Sequence, residues 1–381
     1  MDRYDVIVVG AGPAGSTTAL YAARSGLRTL LIDKENFPRD KACGDLLPAA
    51  CLEILSDLGL SHELEASRCC RVRCVVFSNE NERLVLDGRN FVSVQRKSFD
   101  HLLFAAAREC TDTLEGFRVE ALLGTENHVS GIRAMAADGR ELEATARVVV
   151  GADGYSSVVA RSLRRRAQPE RLALAVRGYA RGVPMSRDEG HFYYFQSCSP
   201  GYLWAFPIGD DLANVGLYLF ANDYKTRRRP LRALFEDLLR QGPLREWFSG
   251  AEFVEPLLSW SLPLAGECEP LHGNGVVVVG DAAGLVDPFW GHGIDSAMVS
   301  GRLAAATIAR ALERSDSAGS ALRSYTDAVY EHFGTTWRER RALATQVRAL
   351  NTLLGTTPLD HFRRWLGEAD GVVEERRAIS R

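Results

Sequence analysis

Three glycines near the start of the chain carry its strongest chemical signal. Gly10, Gly12 and Gly15 form a G-x-G-x-x-G pattern directly after an apolar run at residues 4–9. In such a pattern the first glycine permits a tight turn, the second lets a pyrophosphate reach the backbone, and the third lets a helix pack closely on a strand. Asp33 follows 23 positions after Gly10, where a carboxylate can accept hydrogen bonds from ribose hydroxyls. The spacing predicts a dinucleotide-binding turn, and a tight turn with a structural aspartate is the alternative.

The flanking residues supply the elements that such a turn requires. The β-branched run 4–9 suits a buried strand, residues 16–25 suit a helix, and the apolar run 29–32 suits a second strand. In this order they form a βαβ unit. The N–H groups at the helix start would face the phosphates, so Pro13 and Ala14 are also predicted to contact the cofactor.

Two later segments repeat a buried strand that ends in a glycine and an aspartate. Residues 148–157 read V-V-V-G-A-D-G-Y-S-S, and residues 276–284 read V-V-V-V-G-D-A-A-G. With the first motif, in this order and at similar intervals, they resemble the FAD-dependent oxidoreductases of the para-hydroxybenzoate hydroxylase type. The resemblance covers roughly residues 4–312 and implies FAD as the cofactor.

This resemblance implies roles for individual residues. Asp281 would accept hydrogen bonds from the ribityl or ribose hydroxyls of FAD. Asp153 and Gly154 would shape the loop near the pyrophosphate, and Arg96 would lie near the phosphates and the ribityl chain. Turn formation is the alternative for either aspartate. Residues beside these motifs are also predicted to contact the cofactor, namely Lys34, Cys43, Gly44, Val119 and Gly280.

Three further segments are similar to geranylgeranyl reductases and bacterial menaquinone reductases. They are residues 37–45 (F-P-R-D-K-A-C-G-D), residues 201–210 (G-Y-L-W-A-F-P-I-G-D) followed by N-V-G at 214–216, and residues 287–301 (D-P-F-W-G-H-G-I-D-S-A-M-V-S-G). The resemblance implies reduction of carbon–carbon double bonds in a hydrophobic substrate, isoprenoid-like or a natural product, by hydride transfer from reduced FAD. The electron donor would be NAD(P)H, bound transiently because no second G-x-G-x-x-G is present, or another reductant.

The last of these segments would pass along the flavin. Pro288, Gly291 and Gly293 would let the backbone approach the isoalloxazine edge. The helix from Ile294 would aim its N–H groups at the flavin N1–C2=O region. An ordinary helix-entry loop is the alternative.

Aromatic side chains are expected to form an apolar pocket over the flavin, and they are Tyr202, Trp204, Phe206, Phe289 and Trp290. Ordinary core is the alternative for any one of them. The catalytic candidates are Cys43, as a proton donor or gate, His292, as a proton source, and Trp204. A buried structural cysteine and a satisfied polar histidine are the alternatives. His292 stands where the family commonly has an acidic residue.

Flavin-dependent halogenases and aromatic monooxygenases are the enzymatic alternatives. Halogenases share a W-x-W-x-I-P signature, where this chain has Tyr202 and Phe206 instead of Trp and Ile. Halogenases also need a lysine near the flavin, expected after a strand at 70–78, and the lysines here are Lys34, Lys41, Lys97 and Lys225. Residues 44–48 (G-D-L-L-P) nevertheless resemble the G-E-S-L-L-P of halogenases. A flavin-binding protein without turnover is the least favoured alternative, because the motifs are intact.

Composition excludes several other classes of protein. The chain has 381 residues, 46% hydrophobic and 25% charged, with a formal net charge of -3, which is typical of a soluble globular protein and argues against nucleic acid as a partner. No apolar run approaches the ~20 residues that span a bilayer, and no signal peptide is recognisable. The eight cysteines form no C-x-x-C pair, so we expect a cytoplasmic protein without a metal site.

These patterns predict an α/β fold in three parts. A doubly wound, Rossmann-like FAD-binding domain would be discontinuous, comprising residues 1–70, 95–160 and 270–313. A β-rich substrate domain at 71–94 and 161–269 would be an inserted antiparallel sheet. Residues 314–381 would form a helical C-terminal region. Its basic amphipathic helix could lie on a membrane, bind a carrier protein that presents the substrate, or close the substrate domain.

Overall fold

The computed structural model describes residues 3–163, 169–209, 211–225, 229–314, 316–357, 359 and 372–373. The strands in this part of the chain are β1 Arg3–Val9, β2 Thr29–Ile32, β3 Leu46–Leu47, β4 Cys69–Val72, β5 Cys74–Ser78, β6 Arg83–Leu86, β7 Phe91–Val94, β8 Asp112–Leu114, β9 Phe117–Thr125, β10 His128–Ala136, β11 Glu141–Gly151, β12 Leu172–Arg181, β13 Glu189–Tyr193, β14 Tyr202–Pro207, β15 Leu212–Phe220, β16 Glu252–Phe253, β17 Leu258–Pro263, β18 His272–Gly273, β19 Val276–Val278 and β20 Val372–Val373. The helices are α1 Pro13–Arg24, α2 Ala49–Leu58, α3 Ser61–Ala66, α4 Arg96–Arg108, α5 Val158–Ser162, α6 Ala221–Lys225, α7 Leu231–Leu238, α8 Gly242–Trp247, α9 Ile294–Glu313 and α10 Gly319–Leu354.

The first sheet contains the predicted βαβ unit. Its order is β18-β19-β11-β1-β2-β8, with β10 and β9 added beside β11. Strands β19, β11, β1, β2 and β8 run parallel. Every residue of β2 and β19 is buried, as expected for parallel strands covered by helices on both faces. Helices α1 and α9 pack against each other, and the sheet confirms the predicted α/β fold with a Rossmann-like FAD-binding unit.

Parallel strands bring the three glycine motifs to one edge of this sheet. A Cβ on Gly10, after β1, would lie 2.4 Å from the carbonyl oxygen of Ala152, after β11. A Cβ on Gly280, after β19, would lie 2.9 Å from the Cβ of Ala14 in α1. The carboxyl ends of parallel strands share an edge, so segments far apart in sequence meet there.

The second sheet is the predicted inserted sheet. Its order is β16-β12-β15-β14-β13-β5-β6-β20, and β17 pairs with β12. All of its pairs are antiparallel except β13 with β5. The exception arises because β5 and β6 come from the earlier segment at 71–94 and add to the edge strand β13. Strands β3, β7 and β4 form a small third sheet.

Two expectations about single elements need correction. Residues 70–78 do not form one strand, because β4 and β5 belong to different sheets and the chain changes sheet at Arg73. The N–H groups of Arg73 and Cys74 both donate to the carbonyl oxygen of Asp188, which starts the new pairing. The segment 161–269, which we expect to be an inserted antiparallel sheet, also contains three helices, α6, α7 and α8.

Helix α10 is the longest helix in the described part of the chain. It buries Tyr325, Val329 and Trp337 among other apolar side chains and ends at Gly355, whose φ of 66° is left-handed. Of the helical C-terminal region expected at 314–381, residues 372–373 form the strand β20, and residues 315, 358, 360–371 and 374–381 lie outside the described residues. Among the described residues, no helix combines the length and the apolar character needed to cross a bilayer.

Candidate active site

The glycine turn is built as the sequence predicts. A Cβ on Gly15 would lie 1.7 Å from the carbonyl oxygen of Gly10, so only glycine allows helix α1 to pack this closely. Gly10 has a φ of 98°, which favours glycine. Asp33 accepts hydrogen bonds from the N–H of Ala11, at 2.6 Å, and of Glu35, at 2.9 Å. The aspartate thus fixes the turn, and its two oxygens retain acceptor capacity for a ribose hydroxyl.

The start of helix α1 fits a pyrophosphate. Gly12 is the N-cap, no side chain caps the helix, and its first turn contains no acidic residue. A Cβ on Gly12 would meet only the Arg39 guanidinium, at 3.5 Å, so the space in front of the helix is open. Open space, helix N–H groups and the positive end of the helix dipole are what an anionic diphosphate requires.

A cavity of about 430 Å³ runs from this turn to the second sheet. The predicted site residues that line it are Gly12, Pro13, Ala14, Cys43, Gly44, Arg96, Gly154, Tyr202, Trp204, Phe206, Asp281, Trp290, Gly291, His292, Gly293 and Ile294. One cavity therefore brings together the glycine turn, the 37–45 segment, the aromatic strand β14 and the loop before α9.

The remaining predicted residues do not line this cavity and have other surroundings. Gly10, Gly15, Asp33 and Gly280 form the turns behind its wall, and Val119, Pro288 and Phe289 are buried. Asp153 accepts hydrogen bonds from the Ser157 hydroxyl and, at 2.7 Å, from the Val158 N–H, so it organises the start of α5. The Lys34 side chain is 44% exposed beside Glu35.

The second sheet presents an aromatic face to the cavity. Tyr202 donates to the Trp290 carbonyl oxygen, and its ring stacks on Tyr218 at 5.1 Å. Sequence reasoning missed Phe77 and Phe192, which also line the cavity. Period-two alternation in β5 and β13 would have placed them on this face. The apolar wall excludes water and suits a hydrophobic substrate.

A buried polar network holds the turn that carries Cys43. Asn214 on β15 accepts a 2.8 Å hydrogen bond from Trp204 Nε1 and donates to Asp45 Oδ2 and to the Cys43 carbonyl oxygen, both at 2.8 Å. Tyr179 on β12 also donates to Asp45 Oδ2, at 2.5 Å. Asp45 has a φ of 63°, unusual for a non-glycine residue, and sequence reasoning missed it.

Burial perturbs both titratable groups of this turn. It raises the pKa of Asp45 to about 6, although Arg177 and the hydrogen bonds from Tyr179 and Asn214 oppose the shift. Burial also raises the pKa of the Cys43 thiol, with the Arg96 guanidinium opposing. The thiol is therefore protonated at neutral pH and holds a proton at the cavity wall.

Arg96 presents a fixed positive charge to the cavity. Its Nε and Nη2 atoms donate to the two oxygens of Asp100 at 2.6 and 2.7 Å, and Arg39 binds the same carboxylate. Burial would raise the pKa of Asp100, but the two guanidinium groups outweigh it and hold the pKa below its usual range. The pair keeps Arg96 charged and rigid beside the Cys43 turn.

His292 lies between two carboxylates in the loop before α9. Its Nδ1 is 2.9 Å from Asp295 Oδ1, and its Nε2 is 3.6 Å from Asp287 Oδ2. Burial lowers the pKa of the imidazole, but the two carboxylates outweigh this and raise it to about 9. The imidazole is therefore a cation at neutral pH, at the cavity wall.

Lys41 and Asp281 form an ion pair at the cavity, with 3.0 Å between Nζ and Oδ2. The Lys41 ammonium also lies 5.2 Å from the centre of the Trp260 ring. We expected no lysine at a halogenase-like position, and the structure places none of the described lysines after β5, but Lys41 does line the cavity. No group of His, Cys, Asp and Glu suited to a metal ion occurs within the described ranges.

Comparison with known proteins agrees with this geometry. The model of a family described as "FAD binding domain" matches residues 3–332. Digeranylgeranylglycerophospholipid reductase 2 of Methanopyrus kandleri is 32% identical over 348 residues, covering 88% of this chain and 84% of that protein. Menaquinone reductase of Mycobacterium tuberculosis is 35% identical over 323 residues, covering 80% and 76%.

Solved structures show the same similarity. A geranylgeranyl bacteriochlorophyll reductase-like protein from Thermoplasma acidophilum has a TM-score of 0.82 at 25% identity, covering 96% of this chain and 91% of that one. A myxobacterial chondrochloren halogenase has a TM-score of 0.78 at 25% identity, covering 89% and 82%. The chain therefore belongs to the FAD binding domain family and is an FAD-dependent oxidoreductase of its geranylgeranyl reductase-like branch.

Proposed function

We propose that this protein reduces carbon–carbon double bonds of a hydrophobic, isoprenoid-like substrate. The observation that carries the proposal is a cavity that joins the glycine turn to an aromatic wall. The substrates named for the two curated relatives, a digeranylgeranyl glycerophospholipid and menaquinone, support an isoprenoid chain. A bound FAD supplies the reducing equivalents, which NAD(P)H or another donor replenishes.

The chain's own residues would hold the cofactor and the substrate next to each other in the cavity. Gly12, Pro13 and Ala14 fit the pyrophosphate, and Arg96 and Asp281 line the cavity beyond it. The backbone of 291–294 and the start of α9 would place N–H groups and the positive helix end beside the ring system. The predicted contact residues that do not line the cavity, Asp33 above all, would act by shaping the turns.

Three side chains would serve the reaction at the substrate. The Cys43 thiol, kept protonated by burial, would provide the proton that saturating an alkene requires. The His292 cation would place positive charge close to the cofactor site. Trp204, fixed through Asn214, would orient the double bond and exclude water.

The division into domains remains a proposal that the sheets support. Strands β1, β2, β8 to β11 and β19 fall within 1–70, 95–160 and 270–313, and most strands of the second sheet fall within 71–94 and 161–269. Arg341 donates to two carbonyl oxygens of the 265–266 segment, so part of 314–381 packs on the other units.

The test is anaerobic turnover. The FAD-loaded protein is reduced with dithionite and given a geranylgeranyl-bearing lipid, and the products are analysed by mass spectrometry. Gain of two hydrogen atoms with return of the oxidised flavin absorbance supports the proposal. Turnover that occurs only with oxygen and adds an oxygen atom would instead establish a monooxygenase.

Halogenation is the second candidate function, because Lys41 lines the cavity and a halogenase is among the structural neighbours. The ion pair of Lys41 with Asp281 engages that ammonium and argues against it. Adding bromide with oxygen separates the functions, since only a halogenase yields a product with the bromine isotope pattern.

Location and partners are also proposals. All eight cysteines are free thiols, which supports a reducing, cytoplasmic location. Leu353 and Leu354 are 78% and 67% exposed at the end of α10, which supports peripheral contact with lipid. A carrier-bound substrate is the alternative, and co-sedimentation with phospholipid vesicles separates the two.

A further inference from the structure

A second cavity, of about 400 Å³, lies on the opposite face of the second sheet from the cavity proposed for the substrate. Side chains alternate between the two faces of a strand. On β13, Phe192 packs with the aromatic side chains of the substrate cavity, whereas His191 and Tyr193 face away from it. Their neighbours on β14, Ala205 and Leu203, lie on the same outer face. Helix α8 covers this face, and we call the space between them the outer cavity.

The Tyr193 hydroxyl is a hydrogen-bonding group that the protein leaves unused. Its oxygen is buried and has no hydrogen-bond partner in the described part of the chain. Burial raises the pKa of Tyr193, and the nearby Glu80 adds to this shift, so the hydroxyl stays uncharged and can both donate and accept. A buried polar group without a partner is costly. A ligand that hydrogen-bonds to this hydroxyl would remove that cost.

The walls beside this hydroxyl are apolar and aromatic. Leu203 and Leu244 are buried and line the outer cavity. The Trp247 ring lies 4.7 Å from the His191 ring, and Trp247 Nε1 already donates to the Pro184 carbonyl oxygen at 2.8 Å. The indole therefore offers its ring to a ligand while its N–H is engaged. Such walls suit a planar aromatic ring.

The charged groups of the outer cavity are already engaged. Arg83 lies 3.4 Å from Glu189, whose carboxylate is also 3.2 Å from His191 Nε2. Burial lowers the pKa of His191, although Glu189 opposes the shift, so the imidazole is neutral at neutral pH. Glu82, the other carboxylate of the described lining, is not free either. A charged ligand would therefore lose its hydration without gaining a free counter-charge.

We propose that the outer cavity is a second binding site, for an uncharged aromatic molecule that carries a hydroxyl group. The ligand hydroxyl bonds to Tyr193, and its ring packs against Trp247. The site is separate from the glycine turn and does not depend on the proposed alkene reduction. Phe192 lines both cavities, so a ligand in the outer cavity contacts a side chain that also lines the substrate cavity.

Four probes that share a tolyl group test the class of ligand. They are p-cresol, toluene, p-toluate and p-methylbenzylamine, each titrated into the FAD-loaded protein and followed by ligand-observed NMR. We expect p-cresol to bind about 10-fold more tightly than toluene, because only p-cresol gives the Tyr193 hydroxyl a partner. It should also bind more tightly than either ion. Equal affinities for p-cresol and toluene, or tighter binding of an ion, would overturn the proposal.

Two neighbouring tyrosines locate the bound p-cresol. Tyr193→Phe should weaken p-cresol binding about 10-fold, to the level of toluene, and leave toluene binding unchanged. Tyr194→Phe is the matched control, because Tyr194 packs on the other face of the sheet, 5.9 Å from the Tyr202 ring. It should leave the preference for p-cresol intact. Loss of the preference in Tyr194→Phe, with Tyr193→Phe unaffected, would place p-cresol in the substrate cavity and contradict the proposal.

The folding of the variants is measured separately. Removing a buried hydroxyl that has no partner should not destabilise the protein, so Tyr193→Phe without ligand should unfold at the wild-type temperature or above it. The rise in unfolding temperature that p-cresol gives the wild type should be lost in this variant. Trp247→Leu should weaken binding of p-cresol and toluene alike, because both pack on the indole. Wild-type binding of both probes by Trp247→Leu would contradict the placement of the ring.

Discussion

Asn214 Nδ2 lies 2.8 Å from Asp45 Oδ2, although 169 residues separate them in the chain. The same amide group holds the Cys43 carbonyl oxygen and the Trp204 indole. One buried side chain on the second sheet therefore sets both the turn that carries the thiol and an aromatic side chain of the cavity. Two of the three predicted catalytic residues, Cys43 and Trp204, therefore share this support.

Replacing Asn214 should disturb the Cys43 turn and the position of Trp204 together. Asn214→Ala leaves the Trp204 indole without its partner and removes one of the hydrogen bonds to the buried Asp45 carboxyl, which should lower the free energy of unfolding by about 3 kcal/mol. Urea denaturation of the FAD-loaded protein measures this. Asn127→Ala, at an exposed position, is the control and should change nothing. Unaltered stability of Asn214→Ala would show that the network is not coupled to the fold.

Asp45 should make stability fall as pH rises through the weakly acid range. Its pKa is raised from an ordinary 3.8 to about 6 by burial, so the folded state binds a proton more tightly than the unfolded chain between these values. The stability of the wild type relative to Asp45→Asn should decline by up to about 3 kcal/mol between pH 4 and pH 6. Denaturation curves at several pH values check this, and a parallel pH dependence of the two proteins would contradict it.

His292 should give a pH dependence in the alkaline range. Its pKa is raised from 6.5 to about 9, because Asp295 and Asp287 outweigh the effect of burial. The stabilisation is complete below pH 6.5 and is lost as pH rises through 9. His292→Gln should remove this decline. Thermal unfolding from pH 6 to pH 10 measures it, and an unchanged alkaline decline in the variant would assign the effect elsewhere.

Alanine substitutions of two glycines in the same motif should have different effects, one on FAD binding and the other on folding. Gly12→Ala meets only the Arg39 side chain, at 3.5 Å, so the protein should fold while FAD affinity falls at least about 10-fold, because the Cβ occupies the phosphate approach. Gly15→Ala puts a Cβ 1.7 Å from a backbone oxygen and should prevent folding. Circular dichroism and FAD titration separate the outcomes. Full FAD binding by Gly12→Ala would place the cofactor elsewhere.

Gly216 should control the shape of the substrate end of the cavity. A Cβ there would lie 2.2 Å from Trp204 Cζ2 and 2.5 Å from the Val176 carbonyl oxygen, so Gly216→Ala must displace both the indole and the facing strand, at a cost of about 3 kcal/mol. We expect weaker binding of long prenyl chains than of short ones. Gly334→Ala in helix α10, where the nearest atom is 3.7 Å away, should be neutral or slightly stabilising. Equal affinities for all chain lengths would contradict this.

Local sequence signals were sufficient to predict the position of several helices and strands. Strands Arg3–Val9 and Thr29–Ile32 and the helix Pro13–Arg24 lie where the runs 4–9, 29–32 and 16–25 predict them, because their residue patterns and end signals lie within a few residues. The run at 70–78 was wrong as one strand, since its pairing partners, β7 and β13, come from other parts of the chain.

The sequence by itself determined the glycine turn and the cofactor, because Gly10, Gly15 and Asp33 act through neighbouring backbone. Only the tertiary structure decided that Asp45 would be a buried acid and that Tyr193 would face a second cavity. Burial and charge balance are properties of several distant segments packed together, and no local pattern encodes which of them will meet.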